Sequence, residues 1–196
     1  VSDLAVTVRV DAPDVSDTRD RDEYALIQKA RSGSIDAFEE IMVSYETRIL
    51  RFLTGTVGDT EVAQELCQET FLAAYRALPK TDPELKLSSW LHTIALNRAR
   101  SHHRRRRLRQ FVPLLDNHVS TSPDLQQSVA NEDTVRRVLA RMPQSYREPL
   151  LLQLGSGLSC REIAAILETT EGAIKVRLMR ARDAFRKAYE DEDREP

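Results

Sequence analysis

An all-α fold of two small helical modules is predicted by three features of this 196-residue chain. Apolar residues recur at spacings of three and four rather than two, only six glycines interrupt them, and aromatics make up just 6% of the residues. A β sandwich or barrel needs more aromatic and β-branched residues and more turn glycines. With 41% hydrophobic and 31% charged residues the chain can bury cores in water, and no apolar run approaches the roughly 20 residues of a membrane helix. Membrane insertion is therefore not expected. The segment Val1 to Glu23 carries seven acids against three arginines, the opposite of a secretory or transit peptide. Residues 1–21 read as a disordered acidic tail and the chain as cytoplasmic.

The elements follow in order. Leu26, Ile27 and Ala30 suit a short helix closed by Gly33. Ser34 caps a second, whose Phe38, Ile41, Met42, Tyr45, Ile49 and Leu53 form one buried stripe, and Gly55 and Gly58 are expected to end it. A third helix runs from about Thr60 to Leu78 and stops at Pro79. Apolar residues cover most of its circumference and leave one opening, lined by Glu61, Glu65, Gln68 and Leu72 at i, i+4, i+7 and i+11. Such a face can bind a partner; it is equally compatible with a solvated face carrying one exposed leucine.

After the loop Pro79 to Leu87, Ser88 or Ser89 starts a helix whose apolar side holds Trp90, Leu91, Ile94 and Ala95. Its other side presents Thr93, Asn97, Arg100 and Arg104, and between Asn97 and Arg109 there are seven arginines, two histidines and no acid. A helix end favours some basic residues through its dipole. Seven uncompensated arginines exceed that need and point to phosphate. His102 and His103 are adjacent and face different sides, so they do not form a metal site. Cys67 and Cys160 are isolated and read as small core residues, which leaves no disulfide framework and no zinc spacing. No cofactor is expected.

Residues 108–130 lose periodicity and contain Pro113, Pro123 and Ser120-Thr-Ser122, a linker composition. The first module thus spans 22–107 and the second 131–189. Val135, Val138, Leu139 and Met142 make one helix, Pro143 breaks it, and Tyr146, Leu150 and Leu154 make the next, closed by Gly155 and Gly157. Ser159-Cys-Arg-Glu162 is a capping box, in which serine and glutamate satisfy each other's end of the helix start. A short helix, a connection at Glu168 to Thr170 and a longer helix opening at Glu171 follow, which is a helix-turn-helix arrangement. The longer helix buries Ile174, Leu178, Ala181 and Phe185 and turns Gly172, Ala173, Val176, Met179 and Arg180 outward. From Lys175 to Lys187 there are six bases against one acid, so this helix reads as DNA-binding rather than as the second arm of an ordinary helical hairpin. Residues 190–196 are acidic and expected to fray.

Several segments together resemble the extracytoplasmic-function group of bacterial RNA polymerase sigma factors, the small members of the sigma-70 family that keep only the second and fourth sigma domains. They are Gln64-Glu-Leu-Cys-Gln-Glu-Thr-Phe71, Ser89-Trp-Leu-His-Thr-Ile-Ala-Leu-Asn97, Tyr146-Arg-Glu148 and Leu158 to Arg182. The resemblance covers about Asp22 to Lys187. It implies that Glu61, Glu65, Gln68 and Leu72 dock on core RNA polymerase. It also implies that the 79–87 loop with Lys80 and Lys86, together with Thr93, Asn97, Arg100 and Arg104, captures the minus-ten element of promoter DNA. Arg161, Glu171, Lys175, Val176, Arg177 and Arg180 are implied in minus-thirty-five contacts, and an anti-sigma factor is implied as a further partner. The sequence departs from the family pattern at Glu65, where aspartate is usual, at Ser101, and at Ala173 and Val176, so the minus-thirty-five sequence read need not be inherited.

The competing readings are an autonomous helix-turn-helix regulator and an enzyme. The first usually pairs half-sites through a dimer, and no dimerising heptad is visible. The second lacks any phosphate loop, triad or metal spacing. A two-module factor of this kind is expected to bind free promoter DNA poorly, because each module is small and the acidic tails oppose phosphate.

Overall fold

The computed structural model describes the backbone of residues 15–111 and 130–192, and the side chains of 22–108 and 134–192. Among these residues there are eight α-helices, one 3-10 turn and no strand: α1 (Val15–Arg31), α2 (Ile35–Val57), α3 (Thr60–Ala77), the 3-10 turn Leu78–Lys80, α4 (Leu87–Phe111), α5 (Ala130–Arg141), α6 (Gln144–Ser156), α7 (Cys160–Ile166) and α8 (Glu171–Glu192). Most of the sequence-expected tail 1–21 and linker 108–130 lies outside the described residues.

Local chemistry sets most boundaries. Ser34 accepts from the Ala37 amide at 3.2 Å and Asp59 from the Val62 amide at 3.1 Å, each satisfying an otherwise unpaired donor at a helix start. Gly58 at φ 78° and Gly157 at φ 67° close α2 and α6 in the left-handed conformation that glycine tolerates. The capping box at α7 is complete: the Glu162 amide donates to Ser159 Oγ at 3.3 Å and the Ser159 amide to Glu162 Oε2 at 2.9 Å.

Several boundaries differ from the sequence reading. α1 begins at Val15, ahead of the expected start near Asp22. α4 begins at Leu87 and runs unbroken to Phe111, taking the arginine block and the first residues of the expected linker into the helix. α8 continues to Glu192, where the expected fraying is opposed by ion pairs from Glu192 to Arg137, at 3.2 Å, and to Arg141 of α5. Gly55 does not end α2; the helix passes through it to Val57.

Helices α1 to α4 surround fully buried Ile41, Ile49, Phe52, Leu53, Leu78, Leu91 and Leu96. Buried Thr56 and Thr70 spend their hydroxyls on their own helix, donating to the Phe52 and Leu66 carbonyls at 2.7 Å each. Arg31 donates to the Thr81 carbonyl at 2.6 Å and Gln28 to that of Pro83 at 3.1 Å, fastening the loop before α4 to α1. Cys67 is buried in this core, whereas Cys160 is only half-buried; both are free thiols.

The two modules are packed on one another. Leu152, Leu158, Ile163, Ala164, Ile166, Ile174 and Leu178 of the second belong to the same apolar cluster as the core of the first, while Met142, Leu150 and Ala181 form a separate cluster. α6 lies across α2 at Gly55, where an added Cβ would sit 2.6 Å from Leu151 Cδ2. The missing side chain is what lets the helices approach.

Candidate functional site

Between α2 and α3 lies an open groove of about 540 Å³ lined by Phe38, Met42, Glu46, Leu50, Gln64, Cys67, Gln68, Phe71, Leu72 and Tyr75. Of the four residues assigned to core binding, Gln68 and Leu72 line it, and Glu61 and Glu65 are exposed on the same helix outside it. Leu72 and Tyr75 are 50% and 40% exposed, and Tyr75 is held upright by an edge-on contact with Phe38 at 5.1 Å. The groove offers an apolar floor with an acidic and amide rim, which suits a helical partner with basic residues beside an apolar stripe. Sequence reasoning missed the α2 contribution of Phe38, Met42, Glu46 and Leu50. Phe38 and Met42 belong to a stripe read wholly as core, and only the approach of α3 shows that its edge stays open.

Along α4, Asn97, Arg100 and Arg104 face out as the spacing predicts, and Lys80 and Lys86 are exposed beside its start. Thr93 is half-buried and donates to the Ser89 carbonyl at 2.8 Å, so its hydroxyl is already engaged. Arg100 is not free. Its Nε and Nη2 donate to the two carboxylate oxygens of Glu148 at 3.2 and 2.8 Å, and the pairing holds the guanidinium proton more tightly than usual.

In the second module the turn Leu167 to Thr170 joins α7 to α8, with Glu168 at φ 52° and Thr170 Oγ1 accepting from the Ala173 amide at 3.2 Å. Ile174, Leu178 and Ala181 are buried, while Val176 and Met179 on the opposite side are 45% and 57% exposed beside exposed Arg180. Lys175 pairs with Glu171 at 2.7 Å, one turn back on the same helix; the pair lowers the glutamate's pKa and raises the lysine's. Arg161 is exposed and Arg177 half-buried. A helix with a small apolar outward face and cations at its margins can enter a major groove, touch thymine methyls and grip phosphates.

At the seam between the modules His92 is fully buried, edge-on to Phe52 at 5.5 Å. Its Nδ1 lies 2.7 Å from the Ser88 carbonyl and so must donate, which leaves Nε2 to accept from Ser156 Oγ at 2.5 Å. Burial lowers its pKa below 6.5, the Ser88 carbonyl partly offsets this, and Arg48 from α2 adds to the lowering. The packed state therefore holds neutral imidazole. Its stability is complete above 6.5, where the released side chain is also neutral, and declines as pH falls below that value and the released side chain takes up a proton. His103, lowered by burial and by Arg147, His102 and Arg106, has the same sign. The denaturant midpoint is expected to fall between about pH 7.5 and about pH 5.5, and His92→Asn to flatten that fall, leaving the His103 part.

Among the described residues no group of three or more His, Cys, Asp or Glu is placed to hold a metal, and no helix is long and apolar enough to cross a membrane. Residues 41–109 match the family profile of Sigma-70 region 2, and residues 132–185 that of Sigma-70, region 4. The RNA polymerase sigma-H factor of Pseudomonas aeruginosa is 28% identical over 186 residues, covering 88% of this chain and 96% of its own. The ECF RNA polymerase sigma factor SigW of Bacillus subtilis is 28% identical, with coverage of 84% and 95%. The chain belongs to the extracytoplasmic-function group of the sigma-70 family. Its fold is also that of a solved sigma factor, RpoE in complex with the anti-sigma factor NepR from Bartonella quintana, with TM-score 0.68, 25% identity and coverage of 80% of this chain and 98% of that one.

The protein is accordingly an alternative sigma factor that directs promoter-specific transcription initiation, and it is not an enzyme. The region 2 match takes in the groove apart from Phe38, and the arginine block of α4, and the region 4 match takes in the helix-turn-helix. What this sigma factor's sequence did not reveal is the seam: Glu148, Ser156, His92 and Gly55 meet across it. The one local hint was a glycine inside an otherwise regular helical pattern, which usually marks a close approach.

Proposed function

We propose that this sigma factor divides its work among three surfaces. Gln68, Leu72 and the α2–α3 groove dock on core RNA polymerase, with Glu61 and Glu65 at its border. Lys80, Lys86, Thr93, Asn97, Arg100 and Arg104 take the minus-ten element as the strands separate, and Arg161, Glu171, Lys175, Val176, Arg177 and Arg180 take the minus-thirty-five element. The working units are the modules 22–107 and 131–189, the work is cytoplasmic, and an anti-sigma factor is a further partner. The complex of RpoE with NepR supports that last point.

The observation that carries the reading is the two-sidedness of α8. Ile174, Leu178 and Ala181 are at most 2% exposed, whereas Val176 and Met179 stand open on the face that would meet base pairs. The test is to add the protein to sigma-free core polymerase and assay complex formation and specific initiation. Arg180→Ala is expected to lower initiation at a minus-thirty-five-dependent promoter about tenfold, for one lost base-edge or phosphate contact, with core binding unchanged. Failure to bind core polymerase combined with tight binding to duplex DNA alone would instead establish an autonomous regulator.

A further inference from the structure

Where the later turns of α4 meet the start of α6, the two modules face each other with charge of one sign. His103, Arg106 and Arg107 of α4 and Gln144 and Arg147 of α6 line a cavity of about 300 Å³. A neighbouring cavity of about 460 Å³ shares His103, Arg107 and Gln144 and adds Arg100, Arg104 and Leu108. Among the described residues no acid lines either one. Glu148, whose charge reaches Arg147, is already held by Arg100 and by Gln144.

Arg147 is the informative residue. It is half-buried, its Nη1 donates to the Leu139 carbonyl at 3.3 Å, and its Nε is buried with no hydrogen-bond partner among the described residues. A guanidinium taken out of water with a donor unused is costly until an anion completes it. The surroundings add to that cost. Arg106 and Arg107 are exposed on the same cavity and form no ion pair among the described residues. Burial lowers the His103 pKa, and Arg147, His102 and Arg106 lower it further, the mark of a positive potential. His103 spends its Nε2 on the Thr56 carbonyl at 3.4 Å and so walls the cavity, leaving the arginines to donate into it.

We propose that this cavity binds an oligophosphate anion, a chain of two or three phosphates clamped by Arg106 and Arg107 from the first module and Arg147 from the second. Guanidinium forks match phosphate oxygens in pairs, and cations supplied by two elements suit a ligand with several charges. The neighbouring cavity lets a linear anion extend past Arg107 toward Arg104, room that a single phosphate cannot use. His103, Arg106, Arg107, Gln144 and Arg147 are all outside the residues assigned to either promoter element. The cavity therefore gives the factor a small-molecule input separate from promoter DNA.

The test is calorimetric titration of the full chain with sodium tripolyphosphate, at about 0.15 M salt so that loose surface attraction is screened. One saturable site per chain is expected, with orthophosphate at least about tenfold weaker. Arg106→Gln and Arg147→Gln are each expected to weaken tripolyphosphate about tenfold or more, for lost charge-assisted hydrogen bonds. Arg105→Gln is the control. It removes the same charge from the same block, but Arg105 lines neither cavity, and a loss below about threefold is expected. Arg106 is exposed, so its variant decides the matter even if Arg147→Gln, which also loses the Leu139 bond, fails to fold. Tripolyphosphate is also expected to raise the thermal midpoint of the wild type and of Arg105→Gln, and to leave that of Arg106→Gln nearly unchanged. GTP separates the two sources of such an anion. Affinity equal to that of tripolyphosphate supports the site with a nucleoside polyphosphate as its ligand, and much weaker affinity supports it with an inorganic one. Several weak sites per chain, no saturation, or equal losses in Arg105→Gln and Arg106→Gln would overturn the site and leave the arginine block a diffuse surface for nucleic acid.

Discussion

Leu72→Asp is expected to weaken the complex with core polymerase by about 100-fold or more, with no loss of folding stability. Leu72 is 50% exposed, so a carboxylate there stays hydrated in the free protein. In the complex it would be trapped against an apolar partner in the groove that Phe38, Met42 and Phe71 floor, and a charge buried without a partner is among the largest penalties an interface can carry. Equilibrium binding to labelled core enzyme measures the first part and thermal unfolding the second. Affinity within threefold of wild type would mean that polymerase docks elsewhere.

Phe52→Ala is expected to cost about 3 to 5 kcal/mol of unfolding free energy, the range for removing a buried aromatic ring. Phe52 is 1% exposed and sits on α2 where the two modules share a core, with its ring edge-on to His92. Its loss empties the floor of the seam as well as part of the first module, so the packing that both modules share weakens together. Denaturant unfolding followed by far-ultraviolet circular dichroism measures the cost, and a loss below about 1 kcal/mol would mean that the site collapses around the gap.

The helices and the helix-turn-helix were legible because their signals are local. Ser34, Ser159 with Glu162, Gly58 and the Ile174, Leu178, Ala181 stripe act within a few residues of themselves, and the structure places each where the spacing does. The two families of outward residues on α3 and α8 were legible for the same reason. The closed seam was not. Arg100 and Glu148 are 48 residues apart in sequence, His92 and Ser156 64, and Ser89 and Glu162 73, and no periodicity connects them. Two of them already have a local reading in the sequence, Glu162 as a cap and Arg100 in the basic stripe. Their second partners arise only from how α6 and α7 settle on α2 and α4. The helical ends at Val15 and Glu192 were missed because acidity suggested disorder, whereas Glu192 finds arginines on α5.

The ends of α4 and α5 also fix how far the factor can stretch. Phe111 and Ala130 are covalently joined through 18 intervening residues. Fully drawn out, such a tether spans about 60 Å, at roughly 3.3 Å for each residue. That equals the rise of about 18 base pairs at roughly 3.4 Å per step. The connection is thus a ruler of fixed maximum length: whatever separation the two modules were to adopt, the ends of α4 and α5 could not stand further apart than that reach.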